Sequence, residues 1–391
     1  MEELLSLLVA QDETSSRHTL PPSDFPLDAA KTVFTAKNLV DYASAYFKHF
    51  HHHCPLVHKA TFELETAPIH LVLAIFFCGL IRVAPHHDTS TNRSFFCLGE
   101  DYIYGLLQNV VANDDGSSME NDVEIVQAAL IMLFLQIASS DAVTRHRIRV
   151  NRHPELVASL RALGLMEAKR TVGCSASHWK QFITEEIRVR TATWVIAADC
   201  WCTLLFNNRP QITISEMIGD LPCAGELFEA STAAEFEVIA TSLAYSIQSP
   251  PCLRDWVSSL MQETWLGPEE AHSHLMGLGH LQLCLLALNS VIFAWRTSLL
   301  ISSSSHYLLR AMNRWKEHWD VVYARYTKEQ VQAIGIARHS PETWTVARML
   351  IEVAQSKNLR GRYARGIPTD SLKDFHEFIR LYRMDPSEND K

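Results

Sequence analysis

Glycine and proline are scarce in this chain, at 14 and 15 among 391 residues. Both interrupt helices, so their scarcity favours long helices over a strand-and-turn fold. A surplus of positive charge is also missing: 35 Lys and Arg stand against 44 Asp and Glu, a net charge of −9, and no basic face stands out. A chain that wraps nucleic acid over its whole surface needs such a face to neutralise phosphates, so that role is excluded. The nine cysteines include no CxxC pair. They are odd in number and scattered, often within apolar runs, which suits reduced, buried thiols better than a disulfide framework. Cys200 and Cys202 are two apart. On a helix they point to different faces and make a poor metal clamp.

The start, Met1-Glu2-Glu3, has no basic n-region, so a signal peptide is not expected. The apolar run 69–81 is too short for a bilayer, which takes roughly 20 residues. The run 281–301 carries Gln282, Asn289, Ser290, Arg296 and Ser298 and reads as a core helix rather than a membrane span. Catalytic motifs are missing as well: there is no GxSxG, HExxH, GxGxxG or Walker loop. An enzyme is therefore not expected.

What is present is apolar mass with helical spacing. Hydrophobic residues make up 47% of the chain, enough for a large core. Residues 1–34 read as a flexible segment and 384–391 as a charged, frayed tail, leaving 35–383 as one helical domain. Leu4, Leu5, Leu7 and Leu8 suggest a helix end or part of a dimerising segment, and the Pro-containing stretch 11–30 a linker. Over 35–50, Leu39, Tyr42, Ala43, Tyr46, Phe47 and Phe50 recur every three or four residues, the mark of an amphipathic helix, and Pro55 stops it. Further helices are expected at 69–82, 123–138, 154–163 (closed by Gly164), 185–206, 234–246, 251–263, 269–302, 305–324, 342–356 and 371–382.

Some clusters invite a functional reading. His49, His51, His52, His53, Cys54 and His58 offer six metal ligands within ten residues. Four are consecutive and no second pair completes a tetrahedral site, so a polar turn over inward-packed aromatics is the simpler reading, with no metal expected. Arg145, Arg147, Arg149 and Arg152 form the densest basic run, read as a solvated loop before a helix, with a DNA- or partner-binding patch as the alternative. Lys357, Arg360, Arg362 and Arg365 make a weaker basic stretch that resembles an import signal. Asp199 sits in an apolar helix and needs a local partner such as Arg188, Arg190 or Arg209.

Three segments together resemble the fungal-specific transcription factor domain, the middle homology region of fungal zinc-finger regulators. The first runs from Tyr46-Phe47-Lys48-His49-Phe50 through Cys54-Pro55-Leu56-Val57-His58 to Thr61-Phe62. The second is His153-Pro154-Glu155-Leu156 to Leu163-Gly164-Leu165. The third is Glu185-Glu186-Ile187-Arg188-Val189-Arg190, then Trp194, Asp199 and Phe206-Asn207-Asn208-Arg209-Pro210. The continuation to Leu227-Phe228 is most similar to members with Cys2His2 fingers, and the resemblance is strongest over 35–230.

That resemblance implies an all-α, irregular multi-helix array and a nuclear regulator of transcription. Residues 1–34 contain no cysteine, so DNA contact and zinc are expected only through fingers that these residues do not supply. Protein partners or a second copy of the chain are expected, with a fingerless co-regulator as an alternative reading and an enzyme of unknown chemistry as a further one. Glu185, Arg188, Arg190, Asp199 and Arg209 are expected to form one internal polar brace, and Trp194, Trp201 and Phe206 to line an apolar pocket for a small-molecule effector.

Overall fold

A computed structural model describes residues 2–16, 27–83, 89–112, 118–137, 141–243, 251–265, 267–268, 276–298, 305–356 and 359–382. Among them there is no strand, and the fold is an all-α multi-helix array. The first helices are α1 (Glu2–Ser16), α2 (Leu27–Val33), α3 (Ala36–His49), α4 (Ile69–Val83), α5 (Thr89–Ala112) and α6 (Met119–Ile137). Then come α7 (Ala142–Arg147), α8 (His153–Ala162), α9 (Trp179–Phe206), α10 (Gly225–Phe228), α11 (Ala233–Ser242) and α12 (Leu253–Met261). The last are α13 (Leu278–Thr297), α14 (Ser305–Tyr323), α15 (Lys328–Ala333), α16 (Ser340–Ser356), α17 (Gly361–Ala364) and α18 (Leu372–Tyr382).

The core is a row of four helices, α4, α6, α9 and α13, each touching the next. All four are apolar on most of their circumference, which is the pattern a central helix requires. Amphipathic helices flank the row: α3 lies on α4, α5 and α8 on α6, and α14 and α16 on α13. The helices α9 and α13 are long and apolar enough to cross a membrane, yet most of each is buried inside the protein, as core helices are. Local signals set the ends. Thr35 caps α3 by accepting the Asn38 amide at 3.1 Å. Gly164 closes α8 with φ 64°, a left-handed turn that a side chain disfavours.

The structure departs from expectation in four places. Residues 2–16 form a helix lying on α5 with Leu4 and Leu8 buried, and Ala30 and Phe34 enter the core, so the described parts of 1–34 are packed rather than loose. Those leucines serve this fold, not a free dimerising face. The helix α5, over a stretch where none was expected, covers one side of α6. The expected helix over 269–302 begins only at Leu278, behind Gly277, and its two ends lie outside the described residues. The basic run 145–152 is not a solvated loop: α7, a π-helical turn over Ile148–Arg152 and α8 are continuous.

Its arginines turn inward. Arg147 donates to both oxygens of the buried Glu100, at 2.9 and 2.7 Å, and Arg152 donates to Oε1 at 2.7 Å. Gln136 adds a further bond to Glu100 at 2.7 Å. Burial works against the Glu100 charge, but these bonds and the two guanidiniums outweigh it and hold the carboxyl below its usual range. Arg149 reaches the other way, to Asp370 at 2.7 Å. The π turn adds a residue to the helical cycle. The strongest basic cluster is thus a structural web, and it offers no free patch to DNA.

Candidate functional site

The helix α9 carries most of the candidate site, and its charged residues do not form one brace. Glu185 faces outward, accepting the Thr171 amide and hydroxyl at 2.7 and 2.5 Å. Glu186 is fully buried and accepts from Arg190 at 2.7 Å, from Arg170 and from the Cys223 amide at 2.8 Å. Arg190 also donates to the Cys223 carbonyl at 2.8 Å, and its guanidinium covers the Phe228 ring at 4.0 Å. Glu186 and Arg190, four apart on one helix face, are the spacing that favours such a pair. This triad ties the loop after α9 to the small cluster of Phe182, Ile183, Leu227, Phe228 and Phe236.

Asp199 finds no arginine. Its carboxylate accepts the backbone amides of Gln211 (3.0 and 3.1 Å) and Ile212 (2.9 Å), closing the chain after α9 back onto the helix. The imidazole of His153 stands 3.4 Å away, and both groups are wholly buried, not set in an open cleft. Arg209 is exposed. A carboxylate can be satisfied by backbone amides as well as by a cation, and residue order alone does not choose between them. Of the residues that complete the internal ion pairs, Glu186 stands four before Arg190 in the third resembling segment, whereas Glu100 and Arg170 carry no local signal.

Burial raises the Asp199 pKa to about 6, although the two amides and Arg161 pull it down. Burial lowers His153 to about 4. The two shifts oppose each other in stability. Between about pH 3.8 and 6 the native state holds a proton on Asp199 that the unfolded chain releases, so stability from this group falls as pH rises. Between about 6.5 and 4 the unfolded chain protonates His153 and the native state does not, so stability from that group falls as pH falls. Together they flatten the acid limb. Asp199→Asn is therefore expected to lose melting temperature more steeply than the parent from pH 6.5 to 4. An unchanged slope, by thermal melts at half-unit intervals, would refute the opposition.

The expected pocket at Trp194, Trp201 and Phe206 lies elsewhere in the packing. Trp194 stacks edge-on against Phe134, with ring centroids 6.3 Å apart, and Trp201 packs on the main core. Phe206 is buried, and its carbonyl accepts the Thr369 amide at 3.0 Å. A cleft of about 340 Å³ opens instead near the other end of α9. Val57, Phe62, Leu71, Val123 and Ile187 give it an apolar floor. Glu63, Glu120, Glu124, Thr184 and Arg188 give it polar walls. Gln127 seals one side by donating to the Leu56 carbonyl at 2.7 Å. Of the expected brace residues, only Arg188 reaches this cleft.

The histidine turn borders the same region, and among the described residues no three His, Cys, Asp or Glu groups converge. His51 meets Glu229 at 2.6 Å, and His58 meets the Thr61 hydroxyl at 2.9 Å. Burial pushes the His53 pKa down to about 4, helped by His52, Arg82 and Arg338. Among the described residues the cysteines form no disulfide, and burial pushes the Cys200 thiol up to about 12. Beyond α16, Arg362 donates to the Pro368 carbonyl at 3.0 Å, while Arg360 and Arg365 are exposed and Lys357 lies outside the described residues.

At the far end of α9, Asn207 adopts φ 53° and donates to the carbonyls of Tyr363 (3.0 Å) and Ile367 (3.3 Å). Arg296 bonds the Asn207 oxygen, Arg149 bonds Asn208, and the Tyr363 hydroxyl donates to the Leu204 carbonyl. Arg145 and Arg149 hold Asp370. Residues 361–382 are thereby latched to the end of α9.

Residues 43–317 match the model of a family described as the fungal specific transcription factor domain. The match runs well past residue 230, through most of α14. Transcription factor verF of Penicillium polonicum is 22% identical over 361 residues, covering 83% of this chain and 48% of that protein. Zinc finger protein zas1 of Schizosaccharomyces pombe is 25% identical over 217 residues, 53% of this chain and 23% of that protein. The chain thus spans about half the length of the first relative and about a quarter of the second. No solved structure matches it.

Proposed function

Because the chain belongs to the fungal specific transcription factor domain family, we propose that it is the control segment of a nuclear transcription regulator and answers to a small-molecule effector. Two relatives named as a transcription factor and a zinc finger protein support the regulatory part. In this reading zinc and base contacts belong to finger modules like those in the name of the fission-yeast relative. The helices here set the output and take no part in catalysis. The net charge of −9 and the inward-turned arginines support that division.

The observation that carries the effector part is the cleft of about 340 Å³ beside α9, within the size range of ligand sites. It lies in the family-matched segment, and its walls come from α6, α9 and the loop before α4. Joined to an unrelated DNA-binding module, the full chain is expected to change transcription of a reporter. Arg188→Ala should shift that output by about fivefold or more, the lower end of ordinary coupling between sites. Equal output from module, fusion and variant, at matched protein levels, would overturn the reading.

A further inference from the structure

The cleft beside α9 has two unpaired faces of opposite charge. Arg188 lines it, and the Arg188 Nε is buried with no hydrogen-bond partner. Arg188 also makes no ion pair among the described residues, so an anionic group lying on its guanidinium in the cleft would meet a charge that nothing else compensates. Glu120 and Glu124, one helical turn apart on α6, line the same cleft, joined by Glu63 from the loop before α4. Among the described residues none of these carboxylates makes an ion pair, with Arg188 or with any other cation. Burial, and then the neighbouring Glu120, raises the Glu124 pKa, so its charge too is poorly compensated. The same cleft is lined by the apolar side chains of Val57, Phe62, Leu71, Val123 and Ile187.

We propose that the cleft binds a zwitterionic metabolite of amino-acid or dipeptide size, its carboxylate on Arg188, its ammonium on Glu120 and Glu124, and its apolar side chain on the floor. This deepens the effector reading above and rests on it. A purely anionic ligand would meet three glutamates, and a purely cationic one would meet the uncompensated guanidinium. An uncharged one would leave both faces unpaired. Only a molecule with both charges satisfies the site. The volume suits the class, because a single amino acid leaves part of a cleft of about 340 Å³ to water and a dipeptide fills more of it.

The test is calorimetry on the full chain with free amino acids and with leucyl-leucine, its N-acetylated form and its C-amidated form. The free dipeptide is expected to bind best, each cap costing about tenfold. In Arg188→Ala the amide cap should no longer matter. In Glu120→Gln/Glu124→Gln the acetyl cap should no longer matter. Arg188 makes no internal ion pair among the described residues and Glu120 is exposed, so these variants should keep the parent's melting curve. Equal binding of capped and free forms overturns the ligand class, as does no saturable binding by any zwitterion. If a singly charged or neutral metabolite binds instead, and Arg188→Ala loses it, the effector site stands and only the zwitterion falls. No binding by any compound, with reporter output indifferent to Arg188, overturns both.

Discussion

Glu186→Ala is expected to lower the unfolding free energy by about 3–5 kcal/mol, because it leaves buried cations without their counter-charge. Arg170 and Arg190 both bond Glu186, and their side chains are 5% and 4% exposed. Neither can swing to water without opening the cluster of Phe182, Leu227, Phe228 and Phe236. Asp220, 3.5 Å from Arg170, compensates one of the two only in part. The Cys223 amide would also lose its acceptor. The neighbouring change Glu185→Ala is the control. Its bonds to Thr171 are at the surface, and it should cost about 1 kcal/mol or less. Urea denaturation of both variants decides the matter, and equal losses would mean that the buried triad is energetically idle.

Gly79→Ala should be as damaging although it adds a single methyl. A Cβ at residue 79 would lie 2.1 Å from the carbonyl oxygen of Tyr42 and 2.5 Å from its carbonyl carbon. Those atoms belong to the backbone of α3 and cannot rotate aside as a side-chain tip would. The two helices must therefore separate along their most extensive contact, lifting Tyr42 and Tyr46 from Phe76 and its neighbours. Overpacking typically costs 1–3 kcal/mol, and a clash of backbone against backbone should reach about 3 kcal/mol or more. Gly105→Ala on α5 is the counterpart: nothing lies within 4 Å of its added methyl. There the alanine should stabilise by about 0.5–1 kcal/mol through helix propensity alone. A Gly79→Ala protein that melts with the parent would show that α3 and α4 are less tightly joined than described here.

How much of this was legible from residue order depended on what each feature needs. The periodicity of Leu39, Tyr42, Tyr46 and Phe50 placed α3 almost to the residue, because burial of one face is written in the spacing. The Gly164 turn was equally plain, since few residues but glycine take that backbone angle. The arginines at 145, 147, 149 and 152 read as solvated because charge argues for solvent unless a partner is known. Glu100 and Asp370 lie 47 and 221 residues from the arginines they bind. The spacing of four between Arg145 and Arg149, which share Asp370, did carry the signal of a common helix face. Asp199 is satisfied by backbone amides and not by Arg188, Arg190 or Arg209; every residue possesses an amide, and no sequence pattern flags the one that folds back. Aromatic side chains suggest a pocket, yet here they fill the core, and the open space lies where the loop before α4 leaves α6 and α9 incompletely covered.

The helix α9 runs for 28 residues, a rod about 42 Å long at 1.5 Å per residue. Thr184, Ile187 and Arg188 stand in its first half, and the clasp of Asn207 with Tyr363, Ile367 and Arg296 grips its last turn. Buried as it is, the rod cannot bend cheaply at the middle. Residues 361–382, which lie beyond the family-matched stretch, are therefore joined to the cleft by one continuous buried helix.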